Sequence, residues 1–265
     1  MKDSLILRFL YGTVVGRLFL KALVQPCVSR VVGKFLSSGA SRWLVFYYIK
    51  KHKIDMSGIE IPQDGFDSFN DFFTRKHKRE RFEFTEGHLI SPCDGFLTVM
   101  DIEKDSEFTI KHTRYSVEDL LQDKSLAARF EGGKALVFRL TPANYHRYCY
   151  PAEGRVLSEK KIPGVLHCVR PVALCSVPVF AQNSREYQVI RTERFGTMVQ
   201  MEIGALLVGK ITNKKRLSGK WYVQAGDEKG YFEFGGSTIV LFLSKGAVSV
   251  ECCEKEIPVH MGDCI

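Results

Sequence analysis

The fold is decided by residues 231–243, which read YFEFGGSTIVLFL. The β-branched and aromatic residues of 239–243 predict a strand. The two glycines before it tolerate strained backbone geometry, so Ser237 is able to bend back and attack the peptide bond that precedes it. The same letters also fit a plain β-bulge or tight turn. The choice between these interpretations depends on the rest of the chain.

Strand-like runs of the same kind recur upstream, and turn residues separate them. A helix is expected at 117–122, with Ser116 as its N-cap. Two turns of the form Pro-x-acidic-Gly-x-apolar, at 92–97 and 151–156, suit a barrel-sandwich of short strands. The sequence therefore predicts an α+β fold with a mostly antiparallel β barrel-sandwich core. The predicted strands are 97–102, 135–140, 165–169, 187–191, 198–203, 206–211 and 239–243.

The N-terminal residues differ from the rest, because apolar and basic side chains alternate irregularly there. No uncharged apolar stretch reaches about 18 residues, so a membrane-spanning helix is not indicated. Short helices lying at a membrane interface fit best, and a helical subdomain packed on the core is the alternative. We therefore divide the chain into a membrane-association region, 1–58, and a catalytic domain, 59–265.

Composition narrows the class of partner. The chain has 265 residues, a net charge of +8 and a pI near 9.0, which favours an anionic partner. Nucleic-acid-binding motifs are missing from the sequence, so an anionic membrane surface is the better prediction. None of the eight cysteines has C-x-x-C spacing, which argues against a structural zinc site. Reduced thiols in a cytosolic setting are the simplest account.

Three segments carry residues suited to chemistry: Asp94 in SPCDG, His146 in NYHRYCYP, and Ser237. A serine hydroxyl becomes a good nucleophile when a histidine takes its proton and a carboxylate orients that histidine. Each residue also has a plainer interpretation. Asp94 can close an Asx-turn, and His146 can be a satisfied half-buried histidine. Arg147 can bind an anion or form a structural ion pair.

Five ordered segments together resemble the phosphatidylserine decarboxylase proenzyme family of the bacterial membrane type. They are SFNDFFTR, SPCDG, NYHRYCYP, FGTMVQMEIGALLVGKI and FGGSTIVLF. The resemblance implies self-cleavage between Gly236 and Ser237, with a β chain that ends at Gly236 and an α chain that begins at position 237. Ser237 becomes a covalent pyruvoyl cofactor, which forms a Schiff base with the amine of phosphatidylserine. The products are phosphatidylethanolamine and CO2, and no metal is required.

The resemblance also assigns roles and a location. Asp94 orients or charge-balances the base, His146 relays a proton in decarboxylation, and Ser237 is nucleophile and pyruvoyl precursor. The family's second histidine of this segment is replaced here by Cys149. The self-cleavage base is therefore either His146 in a double role or His167 from a neighbouring strand. The implied enzyme is a homodimer, bound peripherally at the cytoplasmic side of the cell membrane.

Two other classes of protein remain to be compared. One is a processing-dead relative that only binds anionic lipid through its basic N-terminal region. The other is a lipoyl- or biotinyl-like carrier barrel, which the paired turns bring to mind. A carrier needs a lysine on a matching hairpin tip, and the sequence has none there. An enzyme is the prediction that we carry forward.

Overall fold

The structure is a computed structural model that describes residues 5–78, 87–110, 113–206, 210–214, 221–234 and 237–265. Its α-helices are short, and five of them precede the first strand. Their bounds are α1 (Leu5–Gly12), α2 (Val14–Leu23), α3 (Pro26–Leu36), α4 (Trp43–His52), α5 (Phe69–Phe73), α6 (Val117–Leu121), α7 (Lys124–Ala127), α8 (Pro171–Leu174) and α9 (Val179–Gln182). Ser116 caps α6 as predicted, because its hydroxyl accepts a hydrogen bond from the backbone N–H of Asp119.

Within the described residues, eight strands form one antiparallel sheet in the order β10-β6-β7-β8-β12-β4-β1-β13. A second sheet has the order β5-β11-β9, and β2 pairs with β3. The strands are β1 (Gly95–Asp101), β2 (Glu107–Ile110), β3 (Thr113–Ser116), β4 (Lys134–Leu140), β5 (Arg147–Cys149), β6 (Gly154–Ile162), β7 (Arg185–Arg191), β8 (Thr197–Ile203), β9 (Ile211–Asn213), β10 (Tyr222–Val223), β11 (Glu228–Phe232), β12 (Ser237–Leu243) and β13 (Cys253–Val259).

The predicted mixture of short helices and a mostly antiparallel sheet is confirmed, but the barrel is not supported. The eight-stranded sheet has two different edges, β10 and β13, and no pairing joins them among the described residues. An open sheet with a smaller sheet against it is sandwich-like. The paired turns at 92–97 and 151–156 do enter strands, β1 and β6, yet these strands are not neighbours in the sheet.

The two central strands, β8 and β12, are buried along their whole length. Both faces of the large sheet are therefore covered, which explains the unbroken apolar run at 239–243. On one face Phe242 packs against Phe108 and Phe130. On the other face the Gln200 side chain donates a hydrogen bond to the Cys149 carbonyl, 3.1 Å away, which ties β8 to β5 of the small sheet.

The N-terminal helices pack on this core and expose apolar side chains on their other side. Leu10, Tyr11, Leu20 and Val24 belong to the main hydrophobic core. Gly16 lets α2 cross α1 closely, because a Cβ there would overlap the Phe9 carbonyl. Among the described residues, no helix combines the length and the apolar character needed to cross a bilayer.

Most of the predicted strands are present in the structure. The predictions at 165–169 and 206–211 have a different outcome. The prediction of a strand at 165–169 is wrong: only Val165 makes an isolated bridge, to Asn183, and the segment then leads into α8. The predicted strand at 206–211 includes residues 207–209, which lie outside the described residues, and β9 begins at Ile211.

Candidate active site

The predicted site residues gather at one end of the large sheet. There β1 begins directly after Asp94, β12 begins with Ser237, and β4 ends six residues before His146. Ser237 pairs with Leu140, the last residue of β4. Because neighbouring strands lie about 4.8 Å apart, the start of β1 is about 10 Å from the start of β12. Residues far apart in the sequence thus share one rim of the sheet.

The side chain of Ser237 points toward the small sheet. Residues opposite each other on paired strands share a face, and side chains alternate between faces along a strand. Ile239 pairs with Glu202, whose carboxylate binds Lys229 of β11 in the small sheet. Ser237 lies two residues before Ile239 and therefore on this same face, whereas Thr238 points to the opposite one.

Ser237 is fully buried, and its hydroxyl has no hydrogen-bond partner among the described residues. A buried hydroxyl without a partner costs free energy, about 1–3 kcal/mol. A catalytic role is one explanation for such a group, and the adjacent Thr238 hydroxyl, on the opposite face, also has no partner among the described residues. Gly236, the predicted residue on the other side of the cleaved bond, lies outside the described residues.

His146 is held just before β5, on the loop that leaves β4 beside Ser237. Its imidazole is fully buried and lies against the ring of Phe73, with centroids 3.9 Å apart. Its backbone carbonyl accepts a hydrogen bond from Phe232 N–H at 2.9 Å, so β11 holds the loop that carries His146 in place. Tyr48 of α4 holds the same loop, because its hydroxyl donates to the Pro142 carbonyl at 2.9 Å.

Asp94 sits in the turn that enters β1. Its Oδ1 accepts a hydrogen bond from the backbone N–H of Met261 at 2.9 Å, and His260 Nδ1 is 3.8 Å away. The start of β1 lies close to the end of β4, since a Cβ at Gly95 would approach the Arg139 carbonyl to 2.8 Å. The carboxylate therefore has a backbone partner in the distant C-terminal turn, which is not the local contact of an Asx-turn. Its predicted action on the base stays a prediction.

The structure also shows the surroundings of Arg147 and Cys149, which lie close to His146 in the sequence. Arg147 forms an ion pair with Glu228 at 3.0 Å and donates from Nε to the Thr74 carbonyl at 2.8 Å. The ion-pair interpretation of Arg147 thus has direct contacts behind it. Cys149 is buried, and burial raises the pKa of its thiol well above the ordinary value. A thiol that acts as a base needs the opposite shift.

Comparison with known proteins agrees with this arrangement. The phosphatidylserine decarboxylase family model matches residues 69–265. A phosphatidylserine decarboxylase proenzyme 2 of Clostridium acetobutylicum is 41% identical over 248 residues, which cover 92% of this chain and 83% of the relative. Proenzymes of Ruminiclostridium cellulolyticum and Fusobacterium nucleatum are 39% and 35% identical, over 93% and 92% of this chain and 83% of each relative. The chain belongs to the phosphatidylserine decarboxylase family.

His167, the second candidate base of this family member, lies on a loop and not on the neighbouring strand expected for it. Its Nδ1 is 3.2 Å from the hydroxyl of Tyr11, which also accepts a hydrogen bond from Cys168 N–H. The Tyr11 hydroxyl and Nδ1 thus form a hydrogen bond whose direction is set by the tautomer of the imidazole. Burial lowers the pKa of His167, and a hydrogen bond with the Gln182 side chain opposes this shift. The imidazole is neutral at neutral pH, with one nitrogen committed to α1.

The loop of His167 reaches the site rim through backbone and amide contacts. The His167 carbonyl accepts from Leu206 N–H at 3.2 Å, three residues past the end of β8. The Asn183 amide donates to the carbonyls of His167 and Gly204, at 2.9 and 2.7 Å. His167 is thus attached to the strand that pairs with β12.

A buried ion pair between the two sheets supports the candidate site, and it was not predicted from the sequence. Lys229 Nζ and Glu202 Oε1 are 2.5 Å apart, and both side chains are fully buried. Asn213 donates to the other Glu202 oxygen at 3.4 Å and accepts from the Tyr148 hydroxyl at 3.0 Å. These contacts join β8 to all three strands of the small sheet. A charged residue within a predicted strand, Glu202 in FGTMVQMEIG, was the available signal.

Proposed function

We propose that this chain is a self-processing, pyruvoyl-dependent decarboxylase that converts phosphatidylserine to phosphatidylethanolamine and CO2. The observation that carries the proposal is the buried hydroxyl of Ser237 at the start of β12, which has no hydrogen-bond partner in the part of the chain that the structure describes. It faces the layer that holds His146, and membership of the family supports the substrate. Homologues named proenzymes support maturation by cleavage.

Self-cleavage uses the Ser237 hydroxyl as nucleophile. Its oxygen attacks the carbonyl carbon of Gly236, and the peptide C–N bond breaks to give an ester and a free amine. Loss of the Cα proton then expels the Gly236 carboxylate and leaves a dehydroalanine. One water hydrolyses its imine form, which releases ammonia and leaves a pyruvoyl group at position 237. The site fits this group, because the position is buried and the serine oxygen has no competing partner among the described residues.

The pyruvoyl carbonyl supplies Schiff-base chemistry with the substrate amine and an electron sink for decarboxylation. The residues around it supply the rest. His146 lies at the same rim and is excluded from water, so it is placed to return a proton after CO2 leaves. Phe73 fixes the plane of this imidazole, because the two rings are in contact.

We assign the self-cleavage base to a histidine and not to Cys149, whose thiol has a raised pKa. His146 is the better of the two candidates, since His167 commits Nδ1 to Tyr11. His167 then holds α1 to the site rim. This assignment supports the first of the two alternatives that the sequence leaves open.

We further propose that α1–α4 bind the cytoplasmic face of the membrane peripherally. They carry basic residues and many exposed apolar side chains, and they touch the rim of the site through Tyr11 and Tyr48. The serine head group of a bilayer lipid then needs to travel only a short distance. The exposed apolar residues include Leu5, Ile6, Phe9, Val14, Val15, Leu18, Phe19, Trp43, Phe46 and Tyr47.

The test is the mass of the C-terminal fragment of the purified protein. We expect a chain of residues 237–265 that is lighter by one ammonia than a peptide beginning with intact serine. Ser237→Ala should abolish both the cut and CO2 release from phosphatidylserine vesicles. Thr238→Val is the matched control: it removes the adjacent buried hydroxyl, which points to the other face, and should cleave normally. An uncut wild-type chain that still released CO2 would refute the proposal.

A further inference from the structure

The residue three positions before Ser237 is seated in an aromatic pocket. The ring of Phe234 packs edge-on against Tyr48, Phe69 and Phe73, with centroid distances of 6.4, 5.0 and 5.2 Å. Edge-to-face pairs at these distances contribute about 0.5–1.5 kcal/mol each beyond burial. The walls of the pocket come from α4 and α5, which lie more than 150 residues earlier in the sequence.

The backbone of Phe234 is also held. Its N–H donates to Asn70 Oδ1 at 3.2 Å. One residue earlier, Glu233 donates from its backbone N–H to the Lys210 carbonyl at 3.1 Å, and its carboxylate pairs with Lys210 Nζ at 2.9 Å. We call Tyr48, Phe69, Phe73 and the Asn70 amide the Phe234 clamp.

The other side of the bond to be cut is fixed as well. Ser237 pairs with Leu140 of β4, and Thr238 pairs with Ile203 of β8. Between the two fixed points stand only Gly235 and Gly236 in the sequence. Three residues of chain span at most about 10 Å, so the position of Phe234 limits where the Gly236 carbonyl can lie.

We infer that the Phe234 clamp is a positioning device for self-cleavage. It holds the β-chain side of the cleaved bond while the sheet holds the α-chain side. The two glycines accept the backbone geometry that this double attachment imposes. Fixing the two reacting atoms in advance removes much of the entropy cost of the attack. The inference rests on the proposed cut before Ser237.

The Phe234 clamp also positions His146. The ring of Phe73 contacts both Phe234 and His146, with centroid distances of 5.2 and 3.9 Å. One side chain therefore sets the separation between the end of the β chain and the imidazole. This accounts for the segment SFNDFFTR, whose contribution the cleavage chemistry alone leaves unexplained.

The seating of Phe234 in the clamp acts before the cut and not in turnover, so the test measures the rate of cleavage separately from the rate of CO2 release. Freshly synthesised chain is followed over time on a denaturing gel, and CO2 release from phosphatidylserine vesicles is then measured per cleaved molecule. We expect Phe234→Ala to slow cleavage about 100-fold, the loss typical of a misplacement of about 1 Å. Turnover per cleaved molecule should stay within about twofold of the wild type.

Three further variants separate positioning from general destabilisation. Asn70→Ala removes the acceptor for Phe234 N–H and should slow cleavage, whereas Asn70→Asp keeps a carboxylate oxygen there and should restore it. Phe66→Leu is the matched control, because Phe66 lies in the same aromatic cluster but its ring contact is with Phe72. The inference is overturned if Phe234→Ala and Asn70→Ala cleave at the wild-type rate. It is also overturned if Phe66→Leu slows cleavage as much as they do. A wild-type chain that never cleaves would instead refute the proposed function.

Discussion

Replacing Lys229 by Met would leave the buried carboxylate of Glu202 without its ammonium partner. The two groups are 2.5 Å apart and fully buried, and the remaining contact of Glu202 with Asn213 is long, at 3.4 Å. Removing one member of a buried ion pair costs about 3–5 kcal/mol, because the other charge stays desolvated. We expect a loss of this size in the free energy of unfolding of Lys229→Met.

The pH dependence of that loss follows from the direction of the pKa shift. Burial raises the pKa of Glu202, and Lys229 opposes the shift. Without Lys229 the folded-state pKa rises further above the unfolded value. A carboxyl with a raised folded pKa is not penalised below its unfolded pKa, and stability is lost as the pH rises through the folded pKa. The deficit of Lys229→Met should therefore grow as the pH rises above the ordinary pKa of a glutamate, by at most about 1.4 kcal/mol per pH unit.

The assay is urea unfolding in the Ser237→Ala background, where the chain cannot cut itself and unfolds as a single polypeptide. The double variant Lys229→Met with Glu202→Leu is the control, since it replaces both charges by apolar groups of similar size. It should recover most of the lost stability. If the single and double variants are equally unstable, or if the single variant loses less than about 1 kcal/mol, the ion-pair reasoning is refuted.

Two further outcomes are expected. Cys149→Ala should leave the rate of self-cleavage within about twofold of the wild type, because burial keeps the thiol protonated, as a denaturing-gel time course would check; loss of cleavage would make Cys149 part of the machinery. Trp43→Ser with Phe46→Ser should weaken binding to phosphatidylserine-containing vesicles about tenfold or more at unchanged melting temperature, because these side chains are 64% and 79% exposed. Unchanged co-sedimentation with vesicles would exclude α4 from the membrane contact.

The sequence predicted those parts of the fold that depend on local pattern. Runs rich in apolar residues predicted β4, β8 and β12, because these central strands are buried on both faces. The segment 165–169 has the same composition but is a loop, because the side chain of Asn183 satisfies both backbone groups of His167. Only the turn that enters β6 was predicted and not the extent of the strand, because its residues, GRVLSEKKI, are largely polar and several of its side chains face solvent.

Within the candidate site, what was missed depends on contacts between distant parts of the chain. Glu202 and Lys229 come from different sheets, and Asn70 meets Phe234 across 164 positions of sequence. Neither pairing leaves a local pattern, because periodicity reports only which face of an element is buried. The placement of Ser237 beside Leu140 likewise follows from strand order, which the sequence did not predict.

The place of β12 in the middle of the large sheet affects the order of folding and cleavage and the reversibility of unfolding. Hydrogen bonds to β8 and β4 flank this strand on both sides, and β13 at the far end of the same short segment pairs with β1. A cut ahead of Ser237 would thus yield two polypeptides that stay interlocked with no covalent link between them. Assembly has to precede scission, and a denatured mature enzyme would have to find its partner fragment by diffusion. Unfolding of the cleaved enzyme would then be nearly irreversible, so a denatured molecule would not regain its activity.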